Sequence, residues 1–283
     1  MLKFTVPEDI SEISVKNFLR RNCEVSSRLL RKLKQAENGI TCSGRLMKST
    51  DILHAGDTLV LRLHENNSEI VPVDIPVRII YEDDSIILWD KPPGMPVHPV
   101  HDHQSDTLAN AAVFHANQRG ESYPFRAVNR LDKDTSGLVL TAKTRYAASF
   151  LPKHIQKEYM ALCEGNITAD GTIDSPIRLK EGHMIQREIG DDGISAVTHY
   201  TVIRHYGDDY TLVSLRLETG RTHQIRVHMS SAGHPLAGDD MYGGSKERFP
   251  RQCLHCCKMT FLHPETGSQC SFVSDIDFWK EYK

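Results

Sequence analysis

The chain has 283 residues, 39% hydrophobic and 25% charged, a composition typical of a globular protein with room for one large and one small domain. No apolar run approaches the ~18 residues that a membrane span needs, and the N-terminus lacks the apolar core of a signal peptide. Seven irregularly spaced cysteines argue against a disulfide framework and favour a reducing compartment, so we expect a cytoplasmic protein.

The net charge of −3 conceals an uneven distribution of charge along the chain. Residues 1–64 hold 11 Lys and Arg against 7 Asp and Glu, so the remaining residues carry a net negative charge of −7. Between Lys16 and Lys48 nine basic residues face only Glu24 and Glu37. Such a basic segment indicates either a docked polyanion or a solvated helix surface, and charge alone leaves both interpretations open.

Two short helices are predicted near the N-terminus, each preceded by a serine that can cap it. They run from Val15 to Arg21, after Ser14, and from Arg28 to Lys34, after Ser26 or Ser27. Leucines at helical spacing give the second helix one apolar face. Short strands follow, and the last of them is predicted from Thr58 to Leu63, after a Gly-Asp turn.

This order of elements resembles the alpha-L RNA-binding motif of small-subunit ribosomal proteins, over about residues 14–64. The resemblance implies an RNA-binding face composed of basic side chains: Arg28, Arg31, Lys32, Lys34 and Arg45. We therefore expect residues 1–68 to form an RNA-binding domain. Residues 65–73 are polar and read as a linker, and residues 74–283 are expected to form a second, larger domain.

The larger domain is predicted to be α+β, with a mixed, mostly antiparallel central sheet, because many strand patterns alternate with a few helices. The predicted strands are Val77 to Tyr81, Ile86 to Trp89, Leu138 to Ala142, Lys157 to Cys163, Val197 to His205 and Tyr210 to Leu217. The predicted helices are Leu108 to Gln118, Arg145 to Gln156 and Arg221 to Ser231. Asp170 to Ala196 is rich in glycine and charge, and we expect it to be irregular.

A polar segment from Asn129 to Ser136 runs directly into the apolar run Leu138 to Leu140. Polar side chains next to a buried strand cost desolvation free energy unless they are paired. Asp, Asn, Ser and Gly are also common in turns. Composition alone therefore indicates either a tight structural turn or a reactive site.

Three separated segments together resemble the RluA family of pseudouridine synthases, over roughly residues 76–265. In chain order they are Lys91-Pro92-Pro93-Gly94 with His98-Pro99, then Arg130-Leu131-Asp132-Lys133-Asp134-Thr135-Ser136-Gly137, then Glu218-Thr219-Gly220-Arg221-Thr222-His223-Gln224-Ile225-Arg226-Val227-His228 followed by Gly233-His234-Pro235-Leu236-Ala237-Gly238-Asp239. The pattern is most similar to the branch that acts on large-subunit rRNA. The resemblance implies isomerisation of RNA uridine to pseudouridine.

The resemblance also assigns roles to four residues. Asp132 is implied to be the catalytic carboxylate, and Arg221 its counter-ion, which keeps the carboxylate charged. Tyr159 is implied to pack against the target base, and Arg130 to enter the RNA stack that the uridine leaves. The structural alternatives are a turn carboxylate, a surface arginine, a core tyrosine and a phosphate or ion-pair contact, respectively.

The family usually has histidine at the position of Asn129, so this residue has no assigned role in the chemistry. Gln224 and Arg226 are expected to brace the site. No redox step or group transfer is required, so we expect no cofactor and no metal. RNA is the expected partner, rRNA first and tRNA as the alternative, and we expect a monomer.

Two clusters could suggest a metal site. Cys253 and Cys256 form a single CxxC pair, whereas structural zinc sites usually need two compact pairs. His98, His101 and His103 lie in a polar loop, which we expect near the RNA entrance.

Two rival functions remain. One is a non-catalytic RNA-binding or ribosome-assembly factor that keeps the fold. The other is a hydrolase that uses Asp132 and Asp134 as a carboxylate pair.

Overall fold

A computed structural model describes residues 2–62 and 70–275. The N-terminal elements are β1 Leu2–Thr5, β2 Glu12–Ser14, α1 Val15–Asn17, α2 Ser27–Gln35, β3 Ile40–Cys42, β4 Arg45–Leu46, β5 Ile52–His54 and β6 Thr58–Leu61. The capping serines are confirmed, because Ser14 accepts from the Asn17 N–H and Ser26 from the Leu29 N–H. The first predicted helix is shorter, since α1 passes into a π-helical turn, Phe18–Asn22.

Nine strands of the larger region form a single sheet. Its strands are β7 Arg78–Glu82, β8 Ile86–Lys91, β9 Ser136–Ala142, β10 Ile155–Glu164, β11 Gly171–Asp174, β14 Val197–Tyr206, β15 Tyr210–Leu217, β16 Leu254–Leu262 and β17 Gln269–Val273. The strand order is β11-β14-β15-β10-β16-β9-β8-β7, and β17 also pairs with β16. Only the β9–β16 pair is parallel among the described strands, so the prediction of a mixed, mostly antiparallel sheet is confirmed.

Helices and a small hairpin surround this sheet. They are α3 Leu108–Gln118, α4 Arg145–Phe150, α5 Gln224–Ser231, and the hairpin strands β12 Ile177–Leu179 and β13 Arg187–Ile189. The buried core contains Trp89, Leu138 and Leu140. No helix within residues 2–62 and 70–275 is long and apolar enough to cross a membrane.

Three predicted elements need correction. The helix predicted from Arg145 to Gln156 ends at Phe150, because Pro152 cannot continue it, and a 3₁₀ turn leads into β10. The segment predicted to be irregular, Asp170 to Ala196, contains β11, β12 and β13. The last helix begins at Gln224, three residues later than predicted. The linker predicted at residues 65–73 falls largely outside the described residues.

The N-terminal region has its own hydrophobic core, which reaches into the larger region. Leu29, Leu30 and Leu33 of α2 are buried in it, which confirms the predicted apolar face. Tyr146 of α4 belongs to the same cluster and is 4% exposed. Glu24 bonds His154 at 2.9 Å beside this contact. The two regions are therefore packed together through α4.

Gly137 fixes the central parallel contact of the sheet. Its φ is +107°, and a Cβ there would lie 2.3 Å from the Cys256 carbonyl oxygen of β16. Only glycine combines this backbone conformation with this approach. Ser136 beside it bonds His255 of β16 at 3.0 Å through its Oγ. The end of the polar segment is thereby locked to the neighbouring strand.

We predict that Gly137→Ala lowers the free energy of unfolding by about 2–5 kcal/mol, through left-handed strain of ~1–2 kcal/mol and overpacking of ~1–3 kcal/mol. Gly207→Ala is the matched control, because Gly207 has φ +63° with open space around its Cβ position. Urea denaturation of both variants measures the difference. Equal losses of unfolding free energy in the two variants would show that the close contact with β16 adds nothing to the effect of Gly137→Ala.

Candidate active site

The polar segment before β9 is held by a buried amide. Asn129 donates from Nδ2 to the Leu138 carbonyl at 3.1 Å and accepts from the Leu140 N–H at 2.9 Å. The Thr135 N–H closes the turn on the Asp132 carbonyl oxygen at 3.1 Å. Asn129 is therefore a structural brace, which explains how the site tolerates an amide there. The segment is both a structural turn and the support of a carboxylate.

Lys91 ties the proline-rich loop to the same turn. Its ammonium is fully buried and donates to the carbonyls of Pro92, Met95 and Lys133 at 2.8–2.9 Å. Burial lowers the pKa of Lys91 to about 7. Only the charged ammonium can donate three hydrogen bonds at once, so the geometry favours the protonated form. The backbone of Lys133, the residue after Asp132, is thereby held in place.

The central interaction of the site is an arginine between two carboxylates. Arg226 on α5 bonds the fully buried Asp239 with two hydrogen bonds, of 2.7 and 2.8 Å, and its Nη1 donates to Asp132 Oδ2 at 3.2 Å. Burial alone would lower the pKa of Arg226, but Asp239 and then Asp132 raise it above its usual value. The guanidinium is thus permanently charged and aimed at Asp132.

The carboxylate of Asp132 faces a small cavity and is 28% exposed. The cavity is lined by Arg130, Leu131, Asp132, Thr135, Tyr159, Leu217, Arg221, His223, Gln224, Ile225, Arg226 and Leu254. Tyr159 on β10 is 5% exposed, and burial raises its pKa well above 10, so its ring is a neutral phenol. An anionic oxygen beside a flat aromatic wall suits nucleophilic attack on a stacked planar ring.

The structure brings together the four residues predicted for the catalytic site but exchanges one role. Asp132, Tyr159 and Arg130 line the same cavity. The ion pair expected between Asp132 and Arg221 is made by Arg226 instead. Arg221 is exposed at the cavity rim, and its Nε donates to the Ser195 carbonyl at 3.1 Å. The counter-ion prediction is corrected accordingly.

Two further residues of the site were not identified from the sequence. Both lie in the third of the matching segments, and neither has an assigned role there: Asp239 and His223. His223 Nε2 lies 3.8 Å from Asp132 Oδ2. The pairing of Asp239 with Arg226 carries a weak sequence signal, because Asp239 follows the apolar residues Leu236 and Ala237, and an acid needs a partner when it is buried.

Asp134 does not line the cavity. Its backbone carbonyl accepts a hydrogen bond from Arg251 Nη1 at 3.2 Å. Asp132 and Asp134 therefore do not line one cavity together, as the hydrolase interpretation requires.

The candidate metal residues are dispersed. Among residues 2–62 and 70–275 no three His, Cys, Asp or Glu side chains form a group that could hold a metal ion. His101 pairs with Asp102 and His103 with Asp106, whereas His98 packs edge-on against Phe125.

The five basic side chains predicted to bind RNA lie away from this cavity. Four of them are on α2, on the side opposite its buried leucines, and the fifth begins β4: Arg28, Arg31, Lys32, Lys34 and Arg45. All are exposed except Lys32, which is half-buried. The neighbouring positive charge of Arg145 on α4 lowers the pKa of Lys32, followed by burial and by the charge of Arg28.

Comparison with known proteins places this geometry in a family. Residues 85–231 match the model described as RNA pseudouridylate synthase. The "Uncharacterized RNA pseudouridine synthase YjbO" of Bacillus subtilis is 37% identical, over 89% of this chain and 92% of its own. The Pseudomonas aeruginosa "Ribosomal large subunit pseudouridine synthase D" is 38% identical, over 84% and 80%, respectively.

A solved structure agrees with these relatives. "Human RNA Pseudouridylate Synthase Domain Containing 1" superposes with a TM-score of 0.59 at 27% identity, over 71% of this chain and 84% of that chain. With the carboxylate, the arginine and the aromatic wall already located, these matches identify the chain as a member of the RNA pseudouridylate synthase family, an isomerase of uridine in RNA.

Proposed function

We propose that this chain converts specific uridines of large-subunit ribosomal RNA to pseudouridine. The observation that carries the proposal is the Asp132 carboxylate, ion-paired with Arg226 in a cavity walled by Tyr159. Several relatives at 36–41% identity are named ribosomal large subunit pseudouridine synthase D, which supports rRNA as the substrate. Mapping pseudouridines in rRNA and tRNA from cells with and without the gene tests the choice of RNA.

Asp132 is the nucleophile in this proposal. The reaction breaks the N1–C1′ bond, forms a C5–C1′ bond, removes the proton from C5 and leaves one on N1, so the RNA keeps its mass. A carboxylate that adds to uracil C6 or to ribose C1′ lets the base detach and turn before it is joined again. Arg226 donates a hydrogen bond to that carboxylate at 3.2 Å. No electron or group donor enters this balance, so we propose no cofactor.

Tyr159 and Arg130 handle the base itself. The Tyr159 ring forms a flat, buried wall of the cavity, against which uracil can stack. Arg130 is exposed, and it lines both this cavity and a neighbouring one that contains Arg178 and Arg187. From this position it can fill the space that a flipped uridine leaves, where unstacking costs a few kcal/mol.

The N-terminal region holds the RNA in this proposal. Residues 1–68 form an RNA-binding domain whose basic face on α2 and β4 contacts phosphates, and residues 74–283 carry the catalysis. We further propose that the enzyme acts as a monomer in the cytoplasm, where ribosomal RNA is assembled. Gel filtration and cell fractionation would contradict these two points by showing a stable oligomer or another compartment.

Asp132→Asn should abolish pseudouridine formation while RNA binding survives, because the amide keeps the shape of the side chain but is not a nucleophile. Asp134→Asn is the matched control and should retain activity, since Asp134 lies outside the cavity. Chemical mapping of pseudouridine and a filter-binding assay measure the two properties. Modification by Asp132→Asn at the wild-type rate would refute the mechanism.

Arg226→Lys should lower the single-turnover rate by about 10- to 100-fold, or ~1.4–2.7 kcal/mol. A lysine cannot bond both oxygens of Asp239 and still donate to Asp132, because it lacks the rigid fork of guanidinium. Arg221→Lys is the control, and its rate should stay within roughly twofold, since an exposed ion contributes little. A larger loss in Arg221→Lys than in Arg226→Lys would restore Arg221 as the counter-ion.

Neutralising part of the basic face should flatten the salt dependence of RNA binding. We expect the triple change Arg28→Gln, Arg31→Gln and Lys34→Gln to reduce the slope by ~0.7–0.9 per lost phosphate contact. Point changes are preferable to deletion, because removal of residues 1–68 would uncover Tyr146. The control triple, Arg204→Gln, Lys246→Gln and Arg248→Gln, changes the net charge equally. Equal slopes in both triples would show that the face is only solvated.

A further inference from the structure

His223 adopts a backbone conformation that side chains other than glycine rarely occupy. Its φ is +56° and its ψ +19°, in the left-handed region, immediately before α5. This conformation costs free energy, so the surrounding structure must impose it. It directs the imidazole into the site, where the side chain is only 11% exposed. A strained residue whose side chain faces the catalytic carboxylate suggests a functional reason for the strain.

The hydrogen bonds around Tyr242 favour one tautomer of His223. The Tyr242 hydroxyl accepts a hydrogen bond from the Arg187 backbone N–H at 2.9 Å, and a backbone N–H can only donate. The single hydroxyl hydrogen is then available for His223 Nδ1, which lies 2.8 Å away. A neutral imidazole that accepts at Nδ1 carries its hydrogen on Nε2. Nε2 is the nitrogen that faces Asp132.

Burial keeps this imidazole neutral. Burial lowers the pKa of His223, Asp132 opposes this effect, and Arg226 reinforces it. Asp239, which raises the pKa, and Arg187, which lowers it, act from other elements packed around the ring. The neutral form accepts from Tyr242 and still presents one N–H to the carboxylate. The ring of Tyr242 also stacks under Arg226, with the guanidinium carbon 4.9 Å from the ring centre.

Both neighbours of the carboxylate approach the same oxygen. Arg226 Nη1 lies 3.2 Å and His223 Nε2 3.8 Å from Asp132 Oδ2, so neither of these two contacts uses Oδ1. At 3.8 Å the histidine contact is longer than a hydrogen bond, and contacts of this kind shorten when substrate closes the site. Building on the proposed function, we propose that His223, held by Tyr242 as the Nε2–H tautomer, is a positioning residue that presents Oδ1 of Asp132 to uridine.

The first test measures the tautomer in the RNA-free protein by ¹⁵N NMR of the imidazole. The wild type should show the Nε2–H form. Tyr242→Phe removes the hydroxyl but keeps the ring beside Arg226, so the variant should show mixed tautomers. The pKa of His223 should also rise, because the neutral form loses its donor. An Nδ1–H form in the wild type, or an unchanged spectrum in the variant, would overturn the proposal.

The second test separates positioning from binding. Tyr242→Phe should slow single-turnover pseudouridine formation by about 3- to 30-fold with the Kd for RNA changed less than about twofold. Glycine and asparagine both tolerate the left-handed backbone, so His223→Gly should slow the reaction more than His223→Asn, whose amide restores a donor. Urea denaturation confirms folding of each variant. Wild-type rates in Tyr242→Phe and His223→Gly would refute the role.

Failure of the proposed function has a different signature from failure of this inference. If the wild-type protein modifies no uridine in rRNA, the proposed substrate is wrong, whereas the NMR result still decides the tautomer. If Asp132→Asn is inactive but the His223 and Tyr242 variants keep the wild-type rate, the chemistry stands and the positioning role falls.

Discussion

The buried guanidinium of Arg226 is the constraint on which the rest of the site depends. A charge removed from water is tolerated only when its hydrogen-bonding capacity is met, and breaking a buried pair costs roughly 3–5 kcal/mol. The fully buried Asp239 accepts two hydrogen bonds from the guanidinium, and Asp132 accepts a third. Because Asp239 holds the fork rigid, the position of Asp132 follows from the packing of α5. The structural ion pair and the reactive one therefore share a single arginine.

The backbone around Asp132 is fixed with matching rigidity. Asn129 bonds the start of the turn to β9, and Lys91 bonds the carbonyl of Lys133 within the turn. After the turn, Gly137 allows β9 to approach β16 closely. Each of these groups uses a buried polar contact or a close approach that a substitution would disturb. Preorganisation of this kind matters because a nucleophile misplaced by 1 Å loses much of its rate. The apparent choice between a structural turn and a reactive site is therefore a false one.

The sequence sufficed for six of the nine strands of the sheet, because these follow alternating or continuous apolar patterns, whereas β11, β16 and β17 escaped prediction. The family resemblance singled out Asp132 and Tyr159, which line one cavity. The sequence did not suffice for the counter-ion. Arg221 and Arg226 lie five residues apart in one motif, and their directions depend on where the helix begins. The left-handed conformation of His223 delays that start to Gln224, which leaves Arg221 outside the helix and turns Arg226 inward. A backbone strained by tertiary contacts leaves no periodic signal. Pro152, in contrast, is a sequence signal that the helix predicted to reach Gln156 ends early.

The contacts between the two regions determine where the basic face lies relative to the rest of the protein. Tyr146 is buried in the N-terminal core, and the bond between Glu24 and His154 fastens the other side of the contact. The charges of α2 and α4 consequently lie close enough for Arg145 to act on the pKa of Lys32. In the proposed function, RNA contacts this face and Asp132 at the same time, so it must match both places. Phosphate contacts carry no base information themselves, but they fix register. In the proposed function, uridines are therefore selected by the shape of the surrounding RNA as much as by the small cavity that receives the base.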